Sequence, residues 1–191
     1  MQYEIDVRKI LELVKIFASG PIPLLLFLIY LRANVVDMKV QCFFVGKTSM
    51  KYLEEGIQLY LKRLIHYLPV EVVIIPSPFS GSDKDLVKKE SEAILKKIKA
   101  TDFVILLDEK GNEYSSVQFA NFVNSLMVRG LSKIVFVTGG AFGVSESVHQ
   151  RANLTLSFSK FTLTHQMIRV FLLEQLYRAM TIIKNEQYHN P

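Results

Sequence analysis

The sequence predicts an α/β protein: a parallel sheet with helices on both faces. From residue 38 onward, short apolar runs alternate with longer stretches of helical spacing. The short runs are apolar at nearly every position, as strands covered on both faces must be. Internal repeats, low-complexity tracts and a second-domain linker are absent, so residues 38–191 read as one domain.

The elements follow in order. Residues 40–45 (VQCFFV) form a strand ending at Gly46, and 50–67 have helical spacing through Leu53, Ile57, Tyr60, Leu61 and Leu64. Residues 70–75 (VEVVII) are a second strand, stopped by Pro76 and a loop rich in Pro, Ser and Gly. The charged stretch 83–99 is a helix with Leu86, Ile94, Leu95 and Ile98 facing inward. Residues 103–107 (FVILL) make a third strand, followed by a turn at 108–111. Ser115 and Ser116 are placed to cap a helix whose inner face is Phe119, Phe122, Val123 and Leu126. A fourth strand at 134–137 runs into Thr138, Gly139, Gly140, Ala141, Phe142 and Gly143. A short helix at 145–151, a fifth strand at 154–158 and a long helix at 164–184 complete the chain. Ligands in open α/β sheets gather at the carboxyl ends of strands, here 108–111, 138–143 and 157–164.

Charge divides the 191 residues unevenly. Residues 1–37 carry four basic and four acidic side chains, so the net charge of +5 lies wholly in the remainder. A basic domain is compatible with phosphate neutralisation on nucleic acid. The single cysteine, Cys42, excludes an internal disulfide framework and a Cys-rich zinc site. A buried, reduced thiol suits the cytoplasm, and no metal is expected.

Residues 1–37 are a different kind of sequence. The apolar run 21–31 (PIPLLLFLIYL) is about half of the roughly 20 residues that cross a bilayer. Mixed charges precede it and no A-x-A-type cleavage site follows, which argues against a signal peptide. The expectation is that Met38 is the physiological start, that 1–37 is an upstream start assignment or a dispensable extension, and that no membrane is a partner.

Candidate chemistry concentrates in the last third. The turn Gly139-Gly140-Ala141-Phe142-Gly143 leaves a buried strand, but lacks the spacing of a dinucleotide fingerprint and the lysine of a phosphate loop. It is either a ligand-approaching turn or a plain tight one. The hydroxyl-rich stretch 157–166 (SFSKFTLTHQ) is suited to enclosing an adenine or ribose, and Thr164 is alternatively a helix N-cap. His165 with Arg169, and Glu174 with Arg178, are i, i+4 pairs on the final helix. Glu174 and Arg178 are either an ion pair in an interface or a carboxylate placed near a site. That helix is apolar almost all round, so a subunit interface is a natural way to cover it. Tyr188 and His189 by themselves read as a tail.

Four segments together resemble the RlmH family of SPOUT methyltransferases: LLDEKG at 106–111, FVTGGAFG at 136–143, LSFSKFTLTHQMIRVFLLEQLYRA at 156–179, and YH at 188–189. The resemblance runs from Met38 to the end. It implies an α/β/α sandwich with a C-terminal trefoil knot, a rare exception to unknotted folds. It also implies a homodimer with the site built across its interface. The implied activity is methylation of N3 of a pseudouridine in large-subunit ribosomal RNA, within the ribosome, with S-adenosylmethionine as donor. The implied donor contacts are Leu107, Gly139, Gly140, Phe158, Ser159, Lys160, Phe161, Thr162 and Leu163. Glu174, Tyr188 and His189 match positions the family places near the substrate, and His165 and Arg169 match its helix-start positions. These five are the candidate catalytic residues, with His189 first as proton acceptor and His165 and Glu174 behind it. Two departures stand out: Thr164 where the family often has Pro, and Asn190-Pro191 where a basic residue commonly follows Tyr-His. The alternative is a non-catalytic RNA- or ribosome-binding protein on the same knotted fold.

Overall fold

The structure, a computed structural model, describes residues 38–77 and 81–189. The expectations about residues 1–37, with their apolar run, and about Asn190 and Pro191 fall outside the described residues. Five strands form one all-parallel sheet: β1 (Lys39–Val45), β2 (Val70–Ile75), β3 (Phe103–Glu113), β4 (Lys133–Thr138) and β5 (Leu154–Ser157), in the spatial order β2-β1-β4-β3-β5. The helices are α1 (Lys51–Leu64), α2 (Asp83–Lys97), α3 (Ser116–Val128), α4 (Glu146–Arg151) and α5 (Met167–Ile183).

The near-continuous apolar strands have two cores to fill, because successive side chains point to opposite faces. Val40, Cys42 and Phe44 of β1, Ile105 of β3, and Ile134 and Phe136 of β4 pack on one face against α1, α3 and α5. Phe43, Val45, Val104, Leu106, Val135 and Val137 pack on the other, against Ile94 of α2 and Val148 of α4. Cys42 is fully buried, and burial pushes its thiol up. Ser115 does cap α3: its hydroxyl accepts from Gln118 N while the Gln118 side chain accepts from Ser115 N, a reciprocal box. Among the described residues no helix is long and apolar enough to cross a membrane.

One element differs from the expectation. The apolar run ends at Leu107, yet β3 continues to Glu113. Leu107 and Asn112 are both registered against Leu156 of β5, so residues 108–111 are an irregularity inside the strand and not a turn that ends it. The Asp108 carboxylate holds that irregularity by accepting from Lys110 N at 2.8 Å. Polar composition hid the second half of the strand, whose pairing comes from β5 alone. The return requires glycine. A Cβ on Gly111 would stand 2.6 Å from Leu156 N and 2.7 Å from Thr155 C, both backbone atoms of β5.

Those contacts cannot be relieved by a rotamer change. Gly111→Ala is expected to cost about 3 kcal/mol through strand displacement, read as a lower urea midpoint. An unchanged midpoint would show that the two backbones separate freely.

Candidate active site

The main cavity, about 600 Å³, opens where the ends of β3, β4 and β5 meet the start of α5. Three loops wall it. Leu107, Asp108, Glu109 and Lys110 come from the β3 irregularity, and Thr138, Gly139, Gly140, Ala141 and Gly143 from the turn after β4. The third wall is the stretch after β5, continuing to His165 and Ile168. These are the three strand ends that the sequence pattern marks.

Of the nine expected donor contacts, Leu107, Gly139, Gly140, Phe158, Ser159, Phe161, Thr162 and Leu163 line this cavity. Lys160 does not line it; its side chain is exposed. The third loop is tied upon itself: Ser157 Oγ accepts from Ser159 N, and Ser159 Oγ accepts from Phe161 N at 2.9 Å. Thr162 reaches the first loop, its hydroxyl donating to Glu109 Oε2 at 2.8 Å. Thr164 is placed between its two alternatives. Its hydroxyl accepts from Met167 N at 3.1 Å at the start of α5, and it also lines the cavity.

The five candidate catalytic residues separate into three places. His165 lines the cavity. Burial, then the charge of Arg169, holds its imidazole below the ordinary histidine range, with Glu90 opposing them. Arg169 does not reach the cavity. It is 0% exposed, and its guanidinium donates to the carbonyls of Val45, Gly46 and His165 and to Thr48 Oγ1. It lies over the Phe44 ring, 5.2 Å from the centroid. Burial lowers its pKa to about 10, which leaves it charged at neutral pH. Every bond it makes is to the frame of the protein, so its geometry is that of a positioning residue.

Glu174, Tyr188 and His189 form a separate cluster. Glu174 Oε1 accepts from Arg178 Nη2 at 2.6 Å, Arg178 Nε at 3.1 Å and Tyr188 Oη at 3.2 Å, while Oε2 accepts from Gln175 at 2.6 Å. Arg178 lies over the Tyr188 ring and 3.4 Å from His189 Nδ1. Burial first, then hydrogen bonding to Tyr60, pushes the Tyr188 phenol up. Tyr188 and His189 are therefore anchored to α5. Glu174 stands six residues beyond Ile168, about 9 Å along the helix and about 120° around it. A single chain does not direct this cluster into its own cavity.

Sequence reading missed Glu90. It is 6% exposed, lies on α2, and abuts Gly140. A signal was present: Leu86, Glu90 and Ile94 share an i, i+4 row, so an acid interrupts an apolar stripe. Among the described residues, no three His, Cys, Asp or Glu side chains are grouped to hold a metal.

Fold and cavity together are of the SPOUT methyltransferase class, and a family model described as "Predicted SPOUT methyltransferase" matches residues 38–189. A protein of Cytophaga hutchinsonii named Ribosomal RNA large subunit methyltransferase H is 46% identical over 155 residues, covering 80% of this chain and 100% of that protein. Proteins of the same name from Christiangramia forsetii and Clostridium perfringens are 45% and 44% identical, over 80% of this chain and 99% of theirs. The chain belongs to the SPOUT methyltransferase family, in the branch of these large-subunit methyltransferase H proteins.

Removing the guanidinium should leave several buried acceptors without donors, each costing about 1–3 kcal/mol. Arg169→Met is expected to lose about 3 kcal/mol in urea unfolding; a loss below about 1 kcal/mol would show that water replaces it. His165 gives a pH signature. The unfolded chain binds this proton at higher pH than the folded chain. Stability contributed by the neutral ring is present above about pH 6.5 and lost as pH falls through and below it. His165→Gln should flatten the urea midpoint between about pH 7 and pH 5; an equally steep acid loss would assign it to other groups.

Proposed function

We propose that residues 38–191 are the catalytic unit of a cytoplasmic enzyme that methylates N3 of a pseudouridine in large-subunit ribosomal RNA. The donor is S-adenosylmethionine, the substrate is the assembled ribosome, and the working unit is a homodimer. The observation that carries this reading is the cavity at the three strand ends, of a size within the roughly 300–1,000 Å³ of small-molecule sites. The names of relatives matched over essentially their whole length support the choice of RNA.

The cavity's residues fit the donor. Gly139 and Gly140 present backbone to it, with Gly143 and Glu90 packed where their side chains would be; Leu107, Leu156, Phe158 and Ile168 supply apolar wall, and Ser157, Ser159 and Thr162 supply hydroxyls. Asp108 and Glu109 give the rim acidic groups. When bound, S-adenosylmethionine supplies an activated methyl group on a sulfonium. The chain's task is then alignment and exclusion of water. Leu107 and Phe158 would exclude water from the bound donor, and the Ser157–Phe161 ties hold the loop in one shape. N3 of the base gains the methyl as the sulfur–methyl bond breaks to leave a neutral thioether, and His189 takes the N3 proton. Arg178 and Glu174 anchor Tyr188 and His189 at a distance from their own cavity, so the tail acts at the cavity of a second copy.

The reading is tested with tritiated S-adenosylmethionine and whole ribosomes whose target stem-loop is or is not pseudouridylated. Label on the large-subunit RNA of the pseudouridylated ribosomes alone is the expected result. Bound donor without label in either sample would overturn it in favour of a binding protein. In single-turnover transfer, His189→Ala should slow methylation by about 10²–10⁴-fold; an unchanged rate would remove the proton-acceptor role.

A further inference from the structure

A second cavity of about 190 Å³ lies behind the glycine turn and shares Gly140, Ala141 and His165 with the main one. Its charged wall is Glu90. The Ser77 hydroxyl donates to Glu90 Oε1 at 2.5 Å. Oε2 accepts no hydrogen bond among the described residues, and the Glu90 side chain lines this space. A carboxylate this deeply buried is costly unless paired. Among the described residues no cation lies within ion-pair distance of it. Arg169 is committed to carbonyls. His165, across the cavity, is held below the ordinary histidine range and is a neutral ring at pH 7.

Gly140 lines both cavities and abuts this carboxylate. A Cβ there would fall 2.4 Å from Glu90 Oε2. The missing side chain lets the carboxylate pack directly against the turn, and any larger residue there would collide with it. The turn is also held from the same helix at its far end, where Ser91 Oγ accepts from Ser145 N at 2.9 Å. One carboxylate and one hydroxyl are too few oxygens for calcium or magnesium. A primary ammonium, with three donors and one charge, matches a single free carboxylate oxygen.

We propose that Glu90 receives the α-ammonium group of the methyl donor at the glycine turn, where the second cavity adjoins the main one. This rests on the donor reading of the main cavity. It assigns Glu90 a part in donor recognition that the loop residues alone do not provide, and it orients the donor's amino-acid end toward α2.

The test is calorimetric titration of S-adenosylhomocysteine and of 5′-methylthioadenosine, which lacks the amino-acid end, into wild type and Glu90→Gln. A charge-assisted contact predicts that Glu90→Gln weakens S-adenosylhomocysteine by about tenfold to a hundredfold. Methylthioadenosine affinity should stay within about twofold, below any charged-contact loss. Equal weakening of both ligands, or of neither, overturns the assignment. Should Glu90→Gln fail to fold, wild type is titrated with S-adenosylhomocysteine lacking its amino group, and an affinity equal to the parent's overturns it. If wild type binds neither adenosine ligand, the donor reading itself falls and this inference with it.

Discussion

The buried guanidinium of Arg169 is the contact on which the site's geometry depends. The carboxyl end of a parallel strand leaves carbonyl groups without ladder partners, and in a closed α/β core no water reaches them. Arg169 satisfies those of Val45 and Gly46 and holds Thr48 as well. By bonding the His165 carbonyl with its Nε, it also fixes the start of α5 to the end of β1. Ser49 and Gln166 join the same segments again through the Ser49 backbone. Two parts of the chain more than a hundred residues apart thus keep a fixed separation. The last loop, with His165 and Ile168, is hung from that junction.

A charge in this position has a local cost and a local use. Burial lowers its pKa, yet the guanidinium stays protonated, and its field helps keep the neighbouring imidazole neutral. The cavity wall is therefore held by a cation that contributes no charged atom to the cavity. Acidic groups are nearer to it: Asp108 and Glu109 in the first loop, and Glu90 behind the glycine turn. Charge around the site is arranged in depth: Arg169 supports the frame, Asp108, Glu109 and Lys110 line the space, and Glu90 lies behind the turn.

The last helix carries two arrangements at once. Its first turn serves the cavity, while its middle holds Glu174 and Arg178 with the tail folded back upon them. Helical geometry keeps the two apart within one chain, since they differ in both height and direction. Phe171, 44% exposed, lies between them in sequence. In the proposed homodimer, the tail of one copy completes the cavity of the other, and this helix is the surface on which they meet.

The sequence by itself determined the sheet, its two covered faces and the three loops of the cavity, because strands buried on both faces must be apolar throughout and must end in polar or glycine-rich turns. It also marked the tail and the final helix through their resemblance to a family. Only the tertiary structure decided what each charged residue does. Arg169 and His165 are neighbours in sequence pattern, but one is sealed beneath the strand ends and the other faces the cavity. Glu90 appeared as one acid among many on a charged helix, until packing brought Gly140 against it. The polar half of β3 was invisible because its pairing comes wholly from β5. Periodicity reports which side of an element is buried. It does not report which distant backbone or cavity that side meets, and that meeting sets the role of a charged or glycine residue.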